Sequence, residues 1–505
     1  MFAGGSNLRL PLDPVTLSYV MALRGIRPRL SPEPFTYGEL GCGTAERLIL
    51  FAACNPEGTF FGFDPDITAL SKAAETAEKL NLKNITFSQA SASDLNDAVA
   101  KGVIGQKCFD YLIYSAPGNP AVEEVGTLKD CSKVLLRDNG IFAYRYRLYD
   151  AANGDQLLFE NLTRQILAEQ PNAGEALTKE WRQLCQLYFA AHFAQAEAFD
   201  KALSEGQGLT WLKNHAPAAT QPCRTLEVAR TFSGRDFTFL GSAQISGNYM
   251  ELSTPESAHL PLGARRMHPL YEAFKDLAMQ VDERTDLWAH EPLQRSDNLI
   301  TLFGGFTFGT TEAPERIART VTFQGKSFSF VGPLYDGVLS LATVMPVTMG
   351  DLVHHESLKD IDSLTLLNTV QLAVACGLLQ PMRSSFEGGV DMESPKLLGS
   401  YNQSLREAQL DLQDYAFASA VVGRPVFLSG MNALVLQALD KGGMTQVGLL
   451  LGDQLVRLSQ HPYLRPLNLG EPKRAVNEAV RQIETVFHQS YMRWFSLGIV
   501  TTENT

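Results

Sequence analysis

A short glycine-containing segment and two polar stretches further along the chain carry the residues best suited to chemistry. Glu39-Leu-Gly-Cys-Gly43 ends an apolar run, and Gly41 and Gly43 allow a sharp turn that brings bare backbone against a ligand. Asp64 ends a second apolar run, where a carboxylate can accept both hydroxyls of a ribose. A third run leads into residues 88–94, whose backbone amides and small side chains suit an adenine edge. These positions together predict a nucleoside site.

The residue types in and around this turn indicate whether it binds a dinucleotide or a sulfonium ligand. A dinucleotide site favours a third glycine, but Glu46 stands at that position, and its charge opposes a pyrophosphate at the helix start. A sulfonium ligand carries no phosphate. It favours an acidic residue beside the turn, which Glu39 provides, and a ribose acceptor, which Asp64 provides. We therefore expect a sulfonium nucleoside here rather than NAD or FAD.

The elements around these residues alternate between strand and helix up to about residue 150. Apolar runs rich in aromatic and β-branched residues predict five strands, and helical stretches separate them. The predicted strands are Phe35–Leu40, Thr59–Phe63, Ile85–Phe87, Phe109–Tyr114 and Gly140–Tyr146, and the predicted helices are 45–53, 67–80 and 122–136. This alternation predicts an α/β fold with a parallel, doubly wound, Rossmann-like sheet, whose carboxyl edge gathers the candidate residues.

Beyond the ligand-binding domain, residues 1–154, the pattern predicts four further segments. Residues 155–232 are expected to form a helical insertion, and 233–266 contain a possible return strand, Asp236–Ser246, and a linker. Residues 267–387 hold three short helical stretches and a hairpin, which predict a winged-helix-like regulatory module. The last segment, 388–505, is predicted to be a mainly helical C-terminal domain.

Composition and charge restrict the partners and the location. The 505 residues include 43 Lys and Arg against 55 Asp and Glu, and the net charge of -12 opposes a phosphate backbone, so no nucleic-acid partner is expected. The 7 widely spaced cysteines and the lack of a signal-peptide pattern favour a cytoplasmic protein. No transmembrane segment is predicted, because the longest uncharged stretch, between Asp362 and Arg383, contains polar residues. No metal site is predicted, because His354 and His355 have no third ligand nearby.

Four motifs resemble those of class I S-adenosylmethionine-dependent methyltransferases. They are Glu39-Leu-Gly-Cys-Gly43, Gly62-Phe-Asp64, Phe109-Asp-Tyr-Leu-Ile113 and Asn139-Gly-Ile141, and they cover about the first 150 residues. A more diffuse resemblance extends over most of the chain to bacterial methyltransferases with a regulatory domain, a group that includes rickettsial protein lysine methyltransferases. It rests on residues 17–25, 234–252 and 332–351.

The resemblance implies that S-adenosylmethionine is the cofactor and assigns its parts to positions of this sequence. It implies that the turn surrounds the methionine part, that Asp64 binds the ribose and that the segment after the third strand approaches the adenine. The cofactor-binding residues expected on this basis are Glu39, Gly41, Cys42, Gly43, Asp64, Pro65, Ser91, Ala92 and Ser115.

The acceptor side is less well defined, because the loops at 115–120 and 145–150 depart from the pattern of the subgroup. Methyl transfer from a sulfonium is an in-line displacement that needs alignment in a dry pocket. A lysine acceptor must first lose its proton, which apolar and aromatic surroundings promote. Tyr114 and Tyr146, near the carboxyl ends of strands four and five, are therefore the candidate catalytic residues.

The sequence thus predicts a methyltransferase for protein lysine, with a protein substrate as its partner and a homodimer as a further expectation. Two alternatives remain open. A small-molecule N- or O-methyltransferase would have a closed pocket rather than an open groove at the carboxyl edge of the sheet. A non-catalytic scaffold that binds S-adenosylmethionine is suggested by the altered loops, and it would bind the cofactor without turnover.

Overall fold

The computed structural model describes most of the chain on either side of residues 149–223, where it describes only scattered helical positions. The continuous described ranges are 6–29, 33–102, 105–115, 122–148, 224–266, 270–279, 281–312, 316–384, 395–486 and 490–501. Most of the predicted helical insertion lies outside these ranges, as do residues 116–120 and 149–150 of the two loops.

A seven-stranded sheet forms the centre of the first part of the chain. Its spatial order is β3-β2-β1-β4-β5-β7-β6, and β7 is antiparallel to both of its neighbours, β5 and β6. The first five strands lie within a few residues of their predicted positions. The strands are β1 (Thr36–Leu40), β2 (Thr59–Asp64), β3 (Ile85–Gln89), β4 (Phe109–Tyr114), β5 (Leu136–Arg147), β6 (Phe237–Ser242) and β7 (Glu283–His290).

Helices cover both faces of this sheet, and each face has its own apolar core. Helices α1, α2 and α3 pack on one face, and α4, α5 and α6 pack on the other. Local capping fixes where several of them begin: the Asp66 side chain accepts the N–H of Thr68 at 2.8 Å at the start of α3. The helices are α1 (Pro14–Leu23), α2 (Glu46–Cys54), α3 (Ile67–Lys79), α4 (Ala92–Ala100), α5 (Val122–Leu135) and α6 (Arg224–Phe232).

The strands β6 and β7 complete the sheet. The possible return strand predicted at Asp236–Ser246 is present as β6. β7 was not predicted from the sequence, which assigned its residues to the module at 267–387. The pairing of β7 with β5 from Ile141 to Arg147 shows that this strand belongs to the sheet instead. The inward-facing Arg284 and Asp286 conceal the alternation of apolar and polar residues that would mark a half-buried strand.

The middle of the chain contains the three helices and the hairpin that the sequence predicted. The hairpin turns at Gln324 and Gly325, whose φ angles of 47° and 77° match the left-handed conformations of a tight two-residue turn. The classification of this region as a winged-helix-like module remains a prediction. The elements from residue 250 to residue 382, apart from β7, are α7 (Met250–Ser253), α8 (Glu256–Gly263), α9 (Tyr271–Met279), α10 (Leu299–Phe303), β8 (Thr307–Gly309), β9 (Thr320–Phe323), β10 (Lys326–Ser329), α11 (Pro333–Ala342), β11 (Val347–Thr348), α12 (Met349–His354), α13 (Ser363–Ala375) and β12 (Gln380–Met382). The three predicted helices are α11, α12 and α13, and the hairpin consists of β9 and β10.

The last part of the chain is mainly helical and encloses a third large core. The helix α1 connects the first part to the middle, because Leu17 and Val20 pack in the core of the sheet while Tyr19 packs against Phe303 and Phe306. The remaining elements are β13 (Lys396–Leu397), α14 (Ser400–Ser404), β14 (Tyr415–Phe417), β15 (Val426–Leu428), α15 (Gly430–Arg457), α16 (Pro472–Val486), α17 (Met492–Ser496) and β16 (Val500–Thr501).

Candidate functional site

The glycine turn follows β1 as the sequence predicted. Gly41 and Gly43 have φ angles of 69° and 55°, in the left-handed region that glycine adopts without a steric penalty. A Cβ atom built on Gly43 would meet no other atom within 4 Å. The backbone of the turn therefore faces open space, in which a ligand can lie against it.

Asp64 at the end of β2 is held beside this turn. The N–H of Gly43 donates to Asp64 Oδ2 at 2.7 Å, and the N–H of Asp66 donates to Oδ1 at 2.8 Å. These two bonds fix the plane of the carboxylate, and each oxygen keeps a lone pair for a further hydrogen bond. The structure thus brings together Gly43 and Asp64, which were predicted to serve the same ligand. The carboxylate can accept two neighbouring hydroxyl groups.

The segment after β3 forms the start of α4 beside the end of β2. The Ser91 side chain accepts the N–H of Asp94, and the N–H of Ser91 donates to the Asp94 carboxylate at 2.8 Å, which forms a reciprocal cap. The Pro65 carbonyl accepts a hydrogen bond from the Gln89 side chain at 2.9 Å, which ties the two strand ends together. The Ser91 hydroxyl is engaged in this cap. We therefore expect the first-turn N–H groups of α4, beginning at Ala92, to contact an adenine in place of that hydroxyl.

Glu39 lies buried beneath the turn together with Ser115, the first residue after β4. The Ser115 hydroxyl donates to Glu39 Oε1 at 3.4 Å. Arg47, in the first turn of α2, donates from Nη2 to both Glu39 Oε1 and the Ser115 hydroxyl. Burial raises the pKa of the Glu39 carboxyl, and the Arg47 charge opposes that rise. Sequence reasoning did not identify Arg47, because this contact joins a strand to a helix across a turn and follows no local spacing rule.

Cys42 occupies the middle of the turn, and its sulfur faces Gly62 of β2. Burial raises the pKa of the Cys42 thiol, and the nearby carboxylates of Glu39 and Asp64 raise it further. The thiol is therefore neutral at physiological pH. Its surroundings favour a packing role at the turn over a nucleophilic one.

The candidate tyrosines form a row at the carboxyl ends of β4 and β5. The ring centroids of Tyr114 and Tyr144 are 5.7 Å apart, and those of Tyr144 and Tyr146 are 4.9 Å apart. Tyr114 is partly exposed next to Ser115, whereas Tyr146 is 2% exposed and its hydroxyl donates to Asp286 at 2.7 Å. The catalytic role assigned to both tyrosines remains a prediction. The two side chains differ in exposure to solvent. Of the two, only Tyr114 lies on a strand paired with β1, where its partner Leu40 directly precedes the turn.

A second buried charge cluster lies where β5 ends beside the start of β7. Each nitrogen of Arg284 donates to a carboxylate: Nε to Asp286 at 2.8 Å, Nη2 to Glu272 at 3.0 Å and Nη1 to Asp276. Burial raises the pKa of Asp276 to about 6, although Arg284 opposes the rise. The cluster borders a cavity of about 380 Å³ that also reaches Gln324 at the tip of the hairpin.

No helix in the described ranges is long and apolar enough to cross a membrane. No group of three or more His, Cys, Asp or Glu side chains with metal-binding geometry occurs in the part of the chain that the structure describes.

The sheet order, the glycine turn after β1 and the carboxylate after β2 define a class I S-adenosylmethionine-dependent methyltransferase fold. A family model described as a methyltransferase domain matches residues 36–214, which include the turn and the first five strands. The chain therefore contains a class I methyltransferase domain, and S-adenosylmethionine is its cofactor. The open space over Gly43, the fixed Asp64 carboxylate and the buried Glu39 fit that cofactor.

Comparison with known proteins extends the likeness beyond this domain. PKMT2 from Rickettsia typhi in complex with AdoHcy superposes with a TM-score of 0.61 and 15% identity, covering 97% of this chain and 98% of that chain. Another structure of the same protein gives a TM-score of 0.58 and 14% identity, with 97% and 99% covered. The fold of almost the whole chain is thus similar to that of PKMT2.

One sequence relative matches a short stretch. A tRNA (guanine-N(7)-)-methyltransferase from Rubrobacter xylanophilus is 43% identical over 49 residues, which cover 10% of this chain and 22% of that enzyme. The chain therefore spans less than a quarter of that relative's length.

Proposed function

We propose that the protein transfers the methyl group of S-adenosylmethionine to lysine side chains of a protein substrate. The observation that carries this proposal is the whole-chain likeness to PKMT2, which includes the middle and C-terminal parts as well as the sheet. The resemblance of the sequence to rickettsial protein lysine methyltransferases supports the same acceptor.

The residues of the turn hold the cofactor in this proposal. S-adenosylmethionine supplies an electrophilic methyl group on a positively charged sulfur. Glu39, Gly41, Cys42 and Gly43 enclose its methionine part, and Asp64 accepts the ribose hydroxyls. Pro65, Ser91 and Ala92 border the adenine, and Ser115 supports Glu39 from the end of β4.

The acceptor side requires a neutral amine in line with the methyl group. Tyr114 presents a partly exposed aromatic surface at the carboxyl end of β4, and the buried ring of Tyr144 on β5 packs beside it. Such a surface disfavours the ammonium form of lysine, which lowers its pKa and frees the nitrogen lone pair. Burial raises the pKa of the Tyr114 hydroxyl, so this group stays protonated and can donate or accept a hydrogen bond without becoming charged.

The added domains favour a macromolecular acceptor. The tip of the hairpin, at Gln324, reaches the cavity beside the ends of β5 and β6, so the middle part of the chain borders the carboxyl edge of the sheet. The net charge of -12 favours a basic protein over a nucleic acid.

We also propose that the protein is a cytoplasmic homodimer. Light scattering on the purified protein would measure its mass and so test the dimer.

The test is methyl transfer from labelled S-adenosylmethionine to two matched pools of lysate protein, one untreated and one with its lysines blocked by acetylation. We expect label on protein in the untreated pool, recovered as methyl-lysine after hydrolysis, and a large loss of label in the blocked pool. Equal labelling of both pools, or label confined to small molecules, would contradict a lysine acceptor.

A variant of the cofactor site provides the control for this assay. Asp64→Ala removes the ribose acceptor, and we expect the affinity for S-adenosylhomocysteine to fall about 10- to 100-fold, since hydrogen bonds to a charged group contribute about 1.5–3 kcal/mol. Glu75→Gln, on the exposed side of α3, is the matched carboxylate control and should leave affinity unchanged. An unchanged affinity of Asp64→Ala would show that the ribose lies elsewhere.

A further inference from the structure

The cavity beside the Arg284 cluster combines an accessible carboxylate with apolar walls. Its volume is about 380 Å³, and Leu252, Met279 and Phe323 belong to its apolar part. Glu272, on α9, lines the same space, and its side chain is 26% exposed. Such a cavity suits a ligand that has an apolar stem and a charged end, because each part meets a matching surface.

The Glu272 carboxylate is held in place by one of its two oxygens. Its Oε2 atom accepts a hydrogen bond from Arg284 Nη2 at 3.0 Å. Among the residues that the structure describes, no group donates to Oε1. Burial alone would raise the pKa of Glu272, but the charges of Arg284 and Lys275 hold it below its usual range. An ionised carboxylate with an unused oxygen therefore borders the cavity.

The charges around the cavity favour a cation as its occupant. Three carboxylates and two cations line it, namely Glu272, Asp276, Glu283, Lys275 and Arg284. The ionic partners just outside the lining, Asp286 and Arg145, cancel each other, so an excess of one negative charge remains. Lys275 donates to the carbonyl of Gly247, and each nitrogen of Arg284 already donates to a carboxylate. A positively charged ligand would neutralise the excess.

The cavity lies at the same edge of the sheet as the proposed acceptor site. Residues that follow β6 and begin β7 line it, whereas the partly exposed Tyr114 ends β4. Only β5 stands between β4 and β7 in the sheet, so the cavity is two to three strand spacings, about 10–14 Å, from Tyr114. An extended chain rises about 3.3 Å per residue. The distance therefore corresponds to roughly three or four residues of a bound segment.

We propose that this cavity holds a lysine or arginine side chain of the acceptor protein, three or four residues away from the lysine that is methylated. The inference rests on the proposed function, because it takes protein lysine as the acceptor. The methylene stem lies against Leu252 and Phe323, and the charged end binds Glu272 Oε1. Glu272 thus determines which lysines are methylated without touching the reacting atoms.

The positions of the methylated lysines test this assignment. Lysate protein would be treated with S-adenosylmethionine carrying a deuterated methyl group, and mass spectrometry would locate each labelled lysine. For the unaltered protein, we expect lysines with a Lys or Arg three or four residues away to be labelled about 5- to 10-fold more often than other lysines. Glu272→Gln keeps the shape of the side chain without its charge, so the preference should fall below about twofold.

Two further variants separate binding from folding. Gln244→Lys adds a positive charge at an exposed position of the cavity wall and leaves Arg284 all of its partners, so it should lower the preference as Glu272→Gln does. Glu57→Gln breaks a comparable pair, with Arg383 at 2.6 Å, just before β2, and should keep the preference. Thermal unfolding reports whether each variant is folded.

The outcomes distinguish this inference from the proposed function. Labelled lysines without the preference in the unaltered protein would overturn the basic-residue site, while methyl transfer to lysine would stand. A preference retained by Glu272→Gln, or by Gln244→Lys if Glu272→Gln does not fold, would overturn it too, as would a preference lost equally in Glu57→Gln. No labelled lysine in any protein would overturn the proposed function, and this inference with it.

Discussion

Two buried charge clusters lie at the carboxyl edge of the same sheet, and they differ in how completely their hydrogen bonds are formed. In the cluster around Arg284, both oxygens of Asp286 and both oxygens of Asp276 accept hydrogen bonds from protein groups. In the pair of Glu39 and Arg47, one oxygen and one nitrogen have no partner among the described residues. The hydrogen bonds of these two aspartates in the first cluster are complete, whereas the second pair keeps two buried polar atoms without partners among the described residues.

This difference indicates which buried charges maintain the structure and which serve binding. A satisfied network holds its elements in one arrangement, and here it joins β5, β7 and α9. An incomplete network beside a glycine turn leaves polar atoms buried without partners, which weakens its contribution to the fold. Substitutions in the two clusters should therefore affect different properties, namely stability at Arg284 and cofactor affinity at Arg47.

The largest effect is expected for Arg284→Met. Removing this guanidinium leaves three carboxylates without their shared partner, so we expect the free energy of unfolding to fall by about 3–5 kcal/mol. Urea unfolding measures this change, and Lys79→Met on the surface of α3 should change it by less than about 1 kcal/mol. A loss at Arg284 no larger than at Lys79 would show that the cluster contributes nothing to the fold.

A smaller effect is expected for Tyr146→Phe. The substitution removes the hydrogen bond to Asp286 and should lower the free energy of unfolding by about 1–3 kcal/mol, with kcat for methyl transfer nearly unchanged. Tyr114→Phe is the matched variant at the exposed end of the tyrosine row and should affect KM or kcat more than stability. If instead Tyr146→Phe lost turnover without losing stability, the catalytic role predicted from the sequence would replace the structural one.

The smallest effect concerns pH. Burial holds the pKa of Glu39 above its usual range, and the carboxylate must be ionised to bind an ammonium group. Affinity for S-adenosylhomocysteine should therefore fall several-fold as the pH drops through that raised pKa. Calorimetry between pH 7.5 and pH 5 should show this fall, and Glu39→Gln should abolish it. A flat profile in the unaltered protein would argue against an ammonium at Glu39.

The sequence predicted the parts of the site that depend on local order. Gly41, Gly43 and Asp64 follow strands whose apolar runs are easy to find, and the structure places them together. It could not predict the partners of the buried charges, because Arg47 meets Glu39 across a turn and Tyr146 meets Asp286 from 140 residues away. Such contacts follow from the tertiary fold, which also explains why β7, with charged residues on its buried face, was assigned to the wrong segment.

The late position of β7 in the chain has a consequence for how the protein is synthesised. On the ribosome, β5 emerges long before β7, with about 130 residues between them. At roughly 5–20 residues per second, the growing chain keeps one edge of β5 unpaired for roughly 7 to 26 seconds. Arg145 and Arg147 lie in the part of β5 that pairs with β7, and their positive charges discourage pairing with other nascent chains until Arg145 meets Glu283 at 2.5 Å. A chain cut after residue 154 would lack β7, so this edge of β5 would stay unpaired.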